Sequence, residues 1–191
     1  MADRHYAEEI QQISLAMFRK NFFGVYHGSI SARIDTGTFL INTREAMFDA
    51  MTPDSLIALD SSHVDYRWNQ ASLDAPIHEE MYQKIPQAKY IAYTMPPYAT
   101  AYALSHTHFV PQDYFGDKIL GDMVVVDPKR FSDWYDRAPY EIAAYFKNHS
   151  GHLMLIRGYG VYAYDRDVIE MAKKIAILEN SARLLTLNRE C

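Results

Sequence analysis

The chain has one cysteine, Cys191, among 191 residues. A single thiol cannot close an internal disulfide, so nothing in the sequence indicates an oxidising compartment. Basic residues are also in deficit: 19 Lys and Arg stand against 24 Asp and Glu, a formal net charge of −5. They form no stripe, so the electrostatic footprint of a nucleic-acid binder is missing. An acidic chain can still hold a basic pocket, and small anions stay open as ligands. No apolar run approaches the roughly 18–20 residues of a membrane span. The N-terminal segment lacks the apolar core of a secretion signal and reads directly into a helix. Together these absences lead us to expect a cytoplasmic protein without nucleic-acid or membrane partners.

What is present is apolar and aromatic. The hydrophobic fraction is 49% and the aromatic fraction 14%, which excludes a disordered chain. The length suits one domain over residues 1–191 with a substantial core. The 15 tyrosines fit core edges and interfaces, where a ring is buried and a hydroxyl stays wet.

No repeat or low-complexity linker divides the chain. Apolar Ile10, Ile13, Met17 and Phe18 predict a helix over residues 7–21. Residues 29–34 and 38–42 read as strands around an Asp35-Thr36-Gly37 hairpin turn. Leu56 to Asp60 is a short strand. Asp74 and Pro76 open a helix over 75–85, with Asp74 placed to cap it. A strand over 90–94 stops at Pro96-Pro97, and a helix follows over 98–105. An apolar strand over 123–126 precedes a helix over 130–147 that Pro139 is placed to interrupt. Strands over 152–156 and 160–164 bend at Gly158 and Gly160. Asp167 and Glu170 form a capping-box pattern. After it, Val168, Met171, Ala172, Ile175, Leu178, Ala182 and Leu185 draw the apolar stripe of a closing helix. Hairpin-joined and helix-joined strands in one chain predict a three-layer α/β/α fold with a mixed, largely antiparallel central sheet.

Six segments in order carry a resemblance: Gly28-Ser29-Ile30-Ser31-Ala32-Arg33, Phe39-Leu40-Ile41-Asn42, Thr52-Pro53-Asp54, Ser72-Leu73-Asp74-Ala75-Pro76-Ile77-His78, Tyr93-Thr94-Met95-Pro96-Pro97 and Arg157-Gly158-Tyr159-Gly160-Val161. With the Leu178-Glu179 pair of the last helix, they resemble the class II aldolase/adducin family over nearly the whole chain. The resemblance implies the aldolase fold and an active site beside the Asp74 segment. It also implies a homotetramer with sites between subunits, to which Tyr135, Tyr140 and Tyr145 are placed to contribute. Asp74 and Pro76 resemble the sugar-phosphate 4-epimerase branch, where a carboxylate beside the metal handles protons; Asp74 inherits that role as well as the cap.

The metal positions depart from the family. Its three histidines fall on Tyr93, Met95 and Tyr159. A catalytic zinc takes three ligands from His, Cys, Asp or Glu and keeps one position open. A neutral phenol is a poor ligand at pH 7, and a thioether prefers soft ions. The expectation is an aromatic plug, no resident cofactor, and Tyr93 and Tyr159 as pocket positions; zinc belongs only to the alternative of an active enzyme. His106 and His108 repeat a His-x-His spelling but lie past a helix, and read as a solvent-facing loop pair. His149 and His152 read as surface residues, His78 as packed or locally bonded and His27 as a residue of the pocket rim. The resemblance also implies an anion site at Ser29, Ser31, Thr43, Arg44 and Ser72, opposed by Glu45 unless it points away.

Two functions fit these residues. One is a degenerate enzyme, or pseudoenzyme, that binds a small polar or phosphorylated metabolite or acts as a scaffold, as adducin's head domain does. The other is an active aldolase or epimerase on a sugar or sugar phosphate, working through Asp74 and tyrosines or a non-standard metal.

Overall fold

The structure is a computed structural model that describes residues 2–25 and 27–188. Cys191 lies outside the described residues. Eight strands form one sheet: β1 (Ser29–Arg33), β2 (Thr38–Asn42), β3 (Leu56–Asp60), β4 (Tyr90–Thr94), β5 (His108–Phe109), β6 (Met123–Val126), β7 (Leu153–Ile156) and β8 (Gly160–Asp165). Their order is β3-β2-β1-β4-β8-β7-β6-β5. Of the paired neighbours, β6 and β7 alone run parallel; the others are antiparallel.

The period of two along each strand makes two cores. Ile30 and Ala32 of β1, Tyr90 and Ala92 of β4, and Val161 and Ala163 of β8 face one layer of helices. That layer holds α1 (Ala2–Phe18), α4 (Pro97–Ser105) and α7 (Val168–Asn188). Ile91 and Tyr93 of β4, and Tyr162 and Tyr164 of β8, face the other. There α2 (Arg67–Gln70), α3 (Ala75–Lys84) and α6 (Trp134–Asn148) lie, with α3 and α6 packed together. The expected three-layer α/β/α arrangement with a mixed sheet is what forms. A short helix, α5 (Tyr114–Ile119), and the edge strand β5 complete the chain; neither carries a periodic signal, being six and two residues long.

Several local expectations change. The first helix ends at Phe18, not at residue 21, because Asn21 turns the backbone through a left-handed φ of 60°. Pro139 does not interrupt its helix: α6 runs unbroken from Trp134, behind a 3₁₀ turn at Phe131–Asp133, and buries Pro139 against the sheet. Packing of Trp134, Ala138, Ile142 and Phe146 on one side outweighs one missing hydrogen bond. The three tyrosines expected at an interface differ in exposure within the chain. Tyr145 is half-buried against the second core and stacked on His149, while Tyr135 and Tyr140 are exposed. At the head of α7, Asp167 accepts from the amides of Ile169 and Glu170, but Glu170 pairs with Lys173 instead of closing the box.

Candidate functional site

The Arg157-Gly158-Tyr159 turn joins β7 to β8 and brings Tyr159 over Tyr93. Glycine makes the approach possible: at Gly160, where φ is 142°, an added Cβ would collide with the Thr94 carbonyl oxygen. The Tyr93 and Tyr159 rings stack with centroids 4.6 Å apart, and Tyr93 stacks on Tyr162 at 5.1 Å. The Tyr93 hydroxyl donates to the Tyr159 carbonyl at 2.8 Å. The Tyr159 hydroxyl donates to that of Tyr135, which α6 supplies, at 3.2 Å.

Asp74 sits under this cluster, 4% exposed. It does not cap α3. Its backbone is already helical at φ −81° and ψ −2°, and its side chain accepts no cap hydrogen bond; Ser72 Oγ accepts the Asp74 amide at 3.3 Å instead. The carboxyl is thereby released to the cavity, and its Oδ1 is buried with no hydrogen-bond partner. Burial pushes its pKa up. The hydroxyls of Ser29, Tyr162, Tyr159 and Tyr135 pull the other way without overcoming it. In turn burial, then the nearness of Asp74, raises the phenols of Tyr93, Tyr159 and Tyr162. The cluster is a carboxyl that holds its proton more tightly than usual among neutral phenols.

The open space beside it is a cavity of about 400 Å³, lined by residues that include Asp74, Ser72, Tyr93, Met95, Tyr135 and Tyr159. Arg44 and His27 stand at its mouth, both exposed. Among the described residues Arg44 forms no ion pair, and Glu45 lies outside the lining. Of the expected anion-site residues, then, Arg44 and Ser72 reach the cavity. Ser29 and Ser31 do not line it: they are fully buried on β1 and bind His78. Thr43 does not line it either, being held in a bridge to Ala71. Three groups were not legible as site residues in the sequence: Tyr135, Tyr162 and Asn42. Tyr162 follows from the alternation along β8, since it shares a face with the plainly buried Tyr164.

His78 packs in the interior and does not bond locally along its helix. It is fully buried and spans from α3 to β1, with Nε2 2.9 Å from Ser29 Oγ and Nδ1 2.6 Å from Ser31 Oγ. His106 and His108 are not a loop pair: His106 ends α4 and stacks on Tyr102, while His108 lies exposed in β5. His149 is exposed, and His152 is half-buried against Asp165 and Lys174.

Tyr93, Met95 and Tyr159 do not fit zinc. The phenol oxygen of Tyr93 is committed to the Tyr159 carbonyl. Both phenols are held protonated by burial, and Met95 offers only a soft thioether. No group of three or more His, Cys, Asp or Glu suited to a metal occurs among the described residues.

A buried acid under the C-terminal end of β4, on a three-layer α/β/α frame with one parallel pair, is the arrangement of an aldolase-type α/β domain. Residues 8–186 match the model of the class II aldolase and adducin N-terminal domain, and the chain belongs to that family. The L-fuculose-1-phosphate aldolase of Thermus thermophilus superposes with a TM-score of 0.84 at 23% identity, covering 96% of this chain and 93% of that one. YgbL of Klebsiella pneumoniae, a putative aldolase/epimerase/decarboxylase, gives 0.82 at 21% identity, over 98% and 91%. A sugar-phosphate aldolase from Thermotoga maritima gives 0.72 at 16%, over 96% and 94%. At these identities the likeness shows the fold alone. A sequence search of curated proteins finds no match. Among the described residues no helix is long and apolar enough to cross a membrane.

Asp74→Asn should stabilise the protein at pH 8. An acid whose folded pKa is raised carries no penalty below its unfolded value near 3.9. Stability falls as pH rises from there through the folded value, by about 1.4 kcal/mol per pH unit, and is flat above it. The amide cannot ionise and so removes that slope, about 1.4 kcal/mol for each unit by which burial has raised the pKa. Urea midpoints of both proteins from pH 5 to pH 8 measure it; equal midpoints at pH 8 would contradict the burial of a strained carboxyl.

Proposed function

We propose that this chain is a class II aldolase-family protein without the zinc-dependent reaction, and that its cavity binds a small oxygenated metabolite bearing an anionic group. The observation that carries this is the Tyr93–Tyr159 pair, stacked and hydrogen-bonded across the family's metal positions, above an acid whose Oδ1 lacks a partner. Arg44 supplies the charge for a phosphate or carboxylate at the mouth. Asp74 and the phenols supply neutral donors for carbonyl and hydroxyl oxygens inside. Solved neighbours described as sugar-phosphate aldolases support a phosphorylated sugar as the first ligand to try.

Thermal unfolding with a panel of sugar phosphates and small hydroxy acids tests it. A ligand at one hundred times its Kd adds about 2.7 kcal/mol, or roughly 5–10 °C at this size. Arg44→Ala should remove most of the shift for phosphorylated ligands and little for neutral polyols. A panel without any shift, or shifts untouched by Arg44→Ala, overturns the proposal.

A second reading is favoured by the burial that raises the pKa of Asp74: a metal-independent lyase or epimerase in which Asp74 donates a proton to a sugar oxygen. Turnover of a binding ligand that is lost in Asp74→Asn while binding persists selects it. We further propose a homo-oligomer, a tetramer by family likeness, using the exposed Phe131, Tyr135 and Tyr140. A 22 kDa particle in light scattering at micromolar concentration refutes that assembly.

A further inference from the structure

Three positive side chains meet at the end of the sheet opposite the cavity, and the register puts them there. Arg33 closes β1, and its amide donates to the Lys89 carbonyl at 2.8 Å. Lys89 stands just before β4, and its amide donates to the Asp165 carbonyl at 2.9 Å. Asp165 closes β8, and Arg166 follows it. Because β1, β4 and β8 are neighbours and alternate in direction, the three cations come from adjacent strand ends. They line one open hollow of about 600 Å³, together with Pro86, Gln87 and Ala88. It shares no lining residue with the Asp74 cavity.

No carboxylate neutralises them. Among the described residues none of the three forms an ion pair, and no Asp or Glu lines the hollow. Asp165 and Asp167 flank Arg166 in the chain, but Asp165 is held by Lys174 and His152, and Asp167 by the amides of Ile169 and Glu170. Glu9 takes the hydroxyl of Tyr90, next to Lys89. Arg33 is satisfied only in part. It donates to the carbonyls of Tyr82 at 2.6 Å, Ile85 at 3.0 Å and Pro86 at 3.4 Å, around the C-terminal end of α3, while its Nε is buried without a partner. Its guanidinium lies 4.8 Å from the centroid of the Tyr82 ring, and Lys89 Nζ lies 4.1 Å from that of Tyr6. Carbonyls and ring faces hold these two cations in place without cancelling them. The helix end contributes roughly half a negative charge against three positive ones, so the hollow keeps an excess of roughly two and a half. In a chain of net charge −5 that is a local reversal of sign. Like charges crowded at strand spacing repel unless an anion joins them.

We propose that this strand-end hollow is a second binding site, and that its ligand is a small soluble molecule carrying two linked phosphoryl groups. Neighbouring strands lie about 4.8 Å apart, so Arg33 and Arg166 leave the sheet roughly 10 Å from each other with Lys89 between them. Arg33 is tied to the end of α3 and Lys89 to the face of Tyr6, so neither swings across. Arg166 is exposed and is the member free to turn toward a ligand. A single phosphate bridges two of the three; a diphosphate reaches all of them and matches the excess of charge more closely. The two guanidinium groups offer planar donors to phosphoryl oxygens, and Lys89 offers a point charge. None of the exposed large hydrophobic side chains lines the hollow. It therefore has no apolar ledge for an acyl chain, which favours a soluble ligand over a lipid headgroup. The site stands whether or not the Asp74 cavity binds a metabolite.

Titration calorimetry with inorganic pyrophosphate, at low salt and without divalent metal, tests it. Pyrophosphate should bind this site at least about ten times more tightly than orthophosphate does. Arg166→Glu and Lys89→Glu each reverse a charge on a side chain outside the core, and each should weaken pyrophosphate by about tenfold or more. These two variants carry the test because Arg33 also holds the end of α3; an unchanged thermal midpoint shows that they remain folded. Arg44→Ala should leave the pyrophosphate affinity as it is, which separates this hollow from the mouth of the cavity. Binding lost in Arg44→Ala and kept in Arg166→Glu would place the anion in the cavity and overturn the proposal. No binding at about 5 mM, equal affinity for orthophosphate, or both charge-reversal variants within about twofold of the native Kd would overturn it too. So would binding to phosphatidylcholine vesicles that contain phosphatidic acid, without binding of free pyrophosphate.

Discussion

Zinc retained after dialysis should rise from none in the native protein to about one per chain when Tyr93, Met95 and Tyr159 are all replaced by histidine. The structure gives the reason for both halves. In the native protein the nearest oxygen donors are phenols that burial keeps protonated, and one of them is already hydrogen-bonded to a carbonyl. Asp74 alone cannot hold a divalent ion against water. In the variant three imidazoles project from the end of β4 and from the β7–β8 turn into one cavity, with Asp74 beside them. Without metal the variant should be less stable than the native chain, because it loses the Tyr93–Tyr159–Tyr162 stack, of the order of 1 kcal/mol per aromatic pair. With zinc at a thousand times its Kd it should regain about 4 kcal/mol. The Tyr93→Phe, Met95→Leu, Tyr159→Phe variant is the control and should bind none. Elemental analysis decides: about one zinc, manganese or iron per native chain would sink the plug interpretation and make His27 and His78 the first residues to mutate.

Lowering the pH from 7 to 4 should cost the protein about 3 kcal/mol through one imidazole. Burial pushes the pKa of His78 down to about 3, against about 6.5 in an unfolded chain. For a histidine held neutral in the fold, stability is fully present above 6.5 and is lost as pH falls towards 3, since the unfolded chain takes up the proton first. The slope is about 1.4 kcal/mol per unit. Asp74 acts in the opposite sense over its own titration, so the measurement belongs in the Asp74→Asn background. There His78→Gln should flatten the dependence between pH 6.5 and 4. It should also lower stability at pH 7 by about 1–3 kcal/mol, because Ser29 and Ser31 lose their ring partner. Parallel urea-midpoint curves for the two proteins would show that His78 is not the group responsible.

The mix of hairpin-joined and helix-joined strands, and the stripe from Val168 to Leu185, were enough to give the three layers, because burial of one face is a periodic property and period is visible in a linear chain. That Tyr93, Met95 and Tyr159 are poor zinc ligands was legible too, since ligand chemistry depends on residue type before it depends on position. Where the sequence went astray, the deciding contacts were long-range. Asp74 before Ala75-Pro76 has the spelling of a cap, but the backbone is already helical there, and only the assembled sheet shows its carboxyl aimed into the cavity. Ser31 and Thr43 have the right chemistry for an anion site; one faces α3 and the other is tied to Ala71, both away from the opening. Tyr135 joins the site from a helix 61 residues after Asp74 in the chain, a distance at which spacing carries no information. Residue types therefore told that Tyr93, Met95 and Tyr159 are poor metal ligands. Only the packing of α3 and α6 over β1, β4 and β8 decided what surrounds them: a buried acid roofed by tyrosines, because who meets whom across a sheet is set by register and layer packing, not by neighbours in the chain.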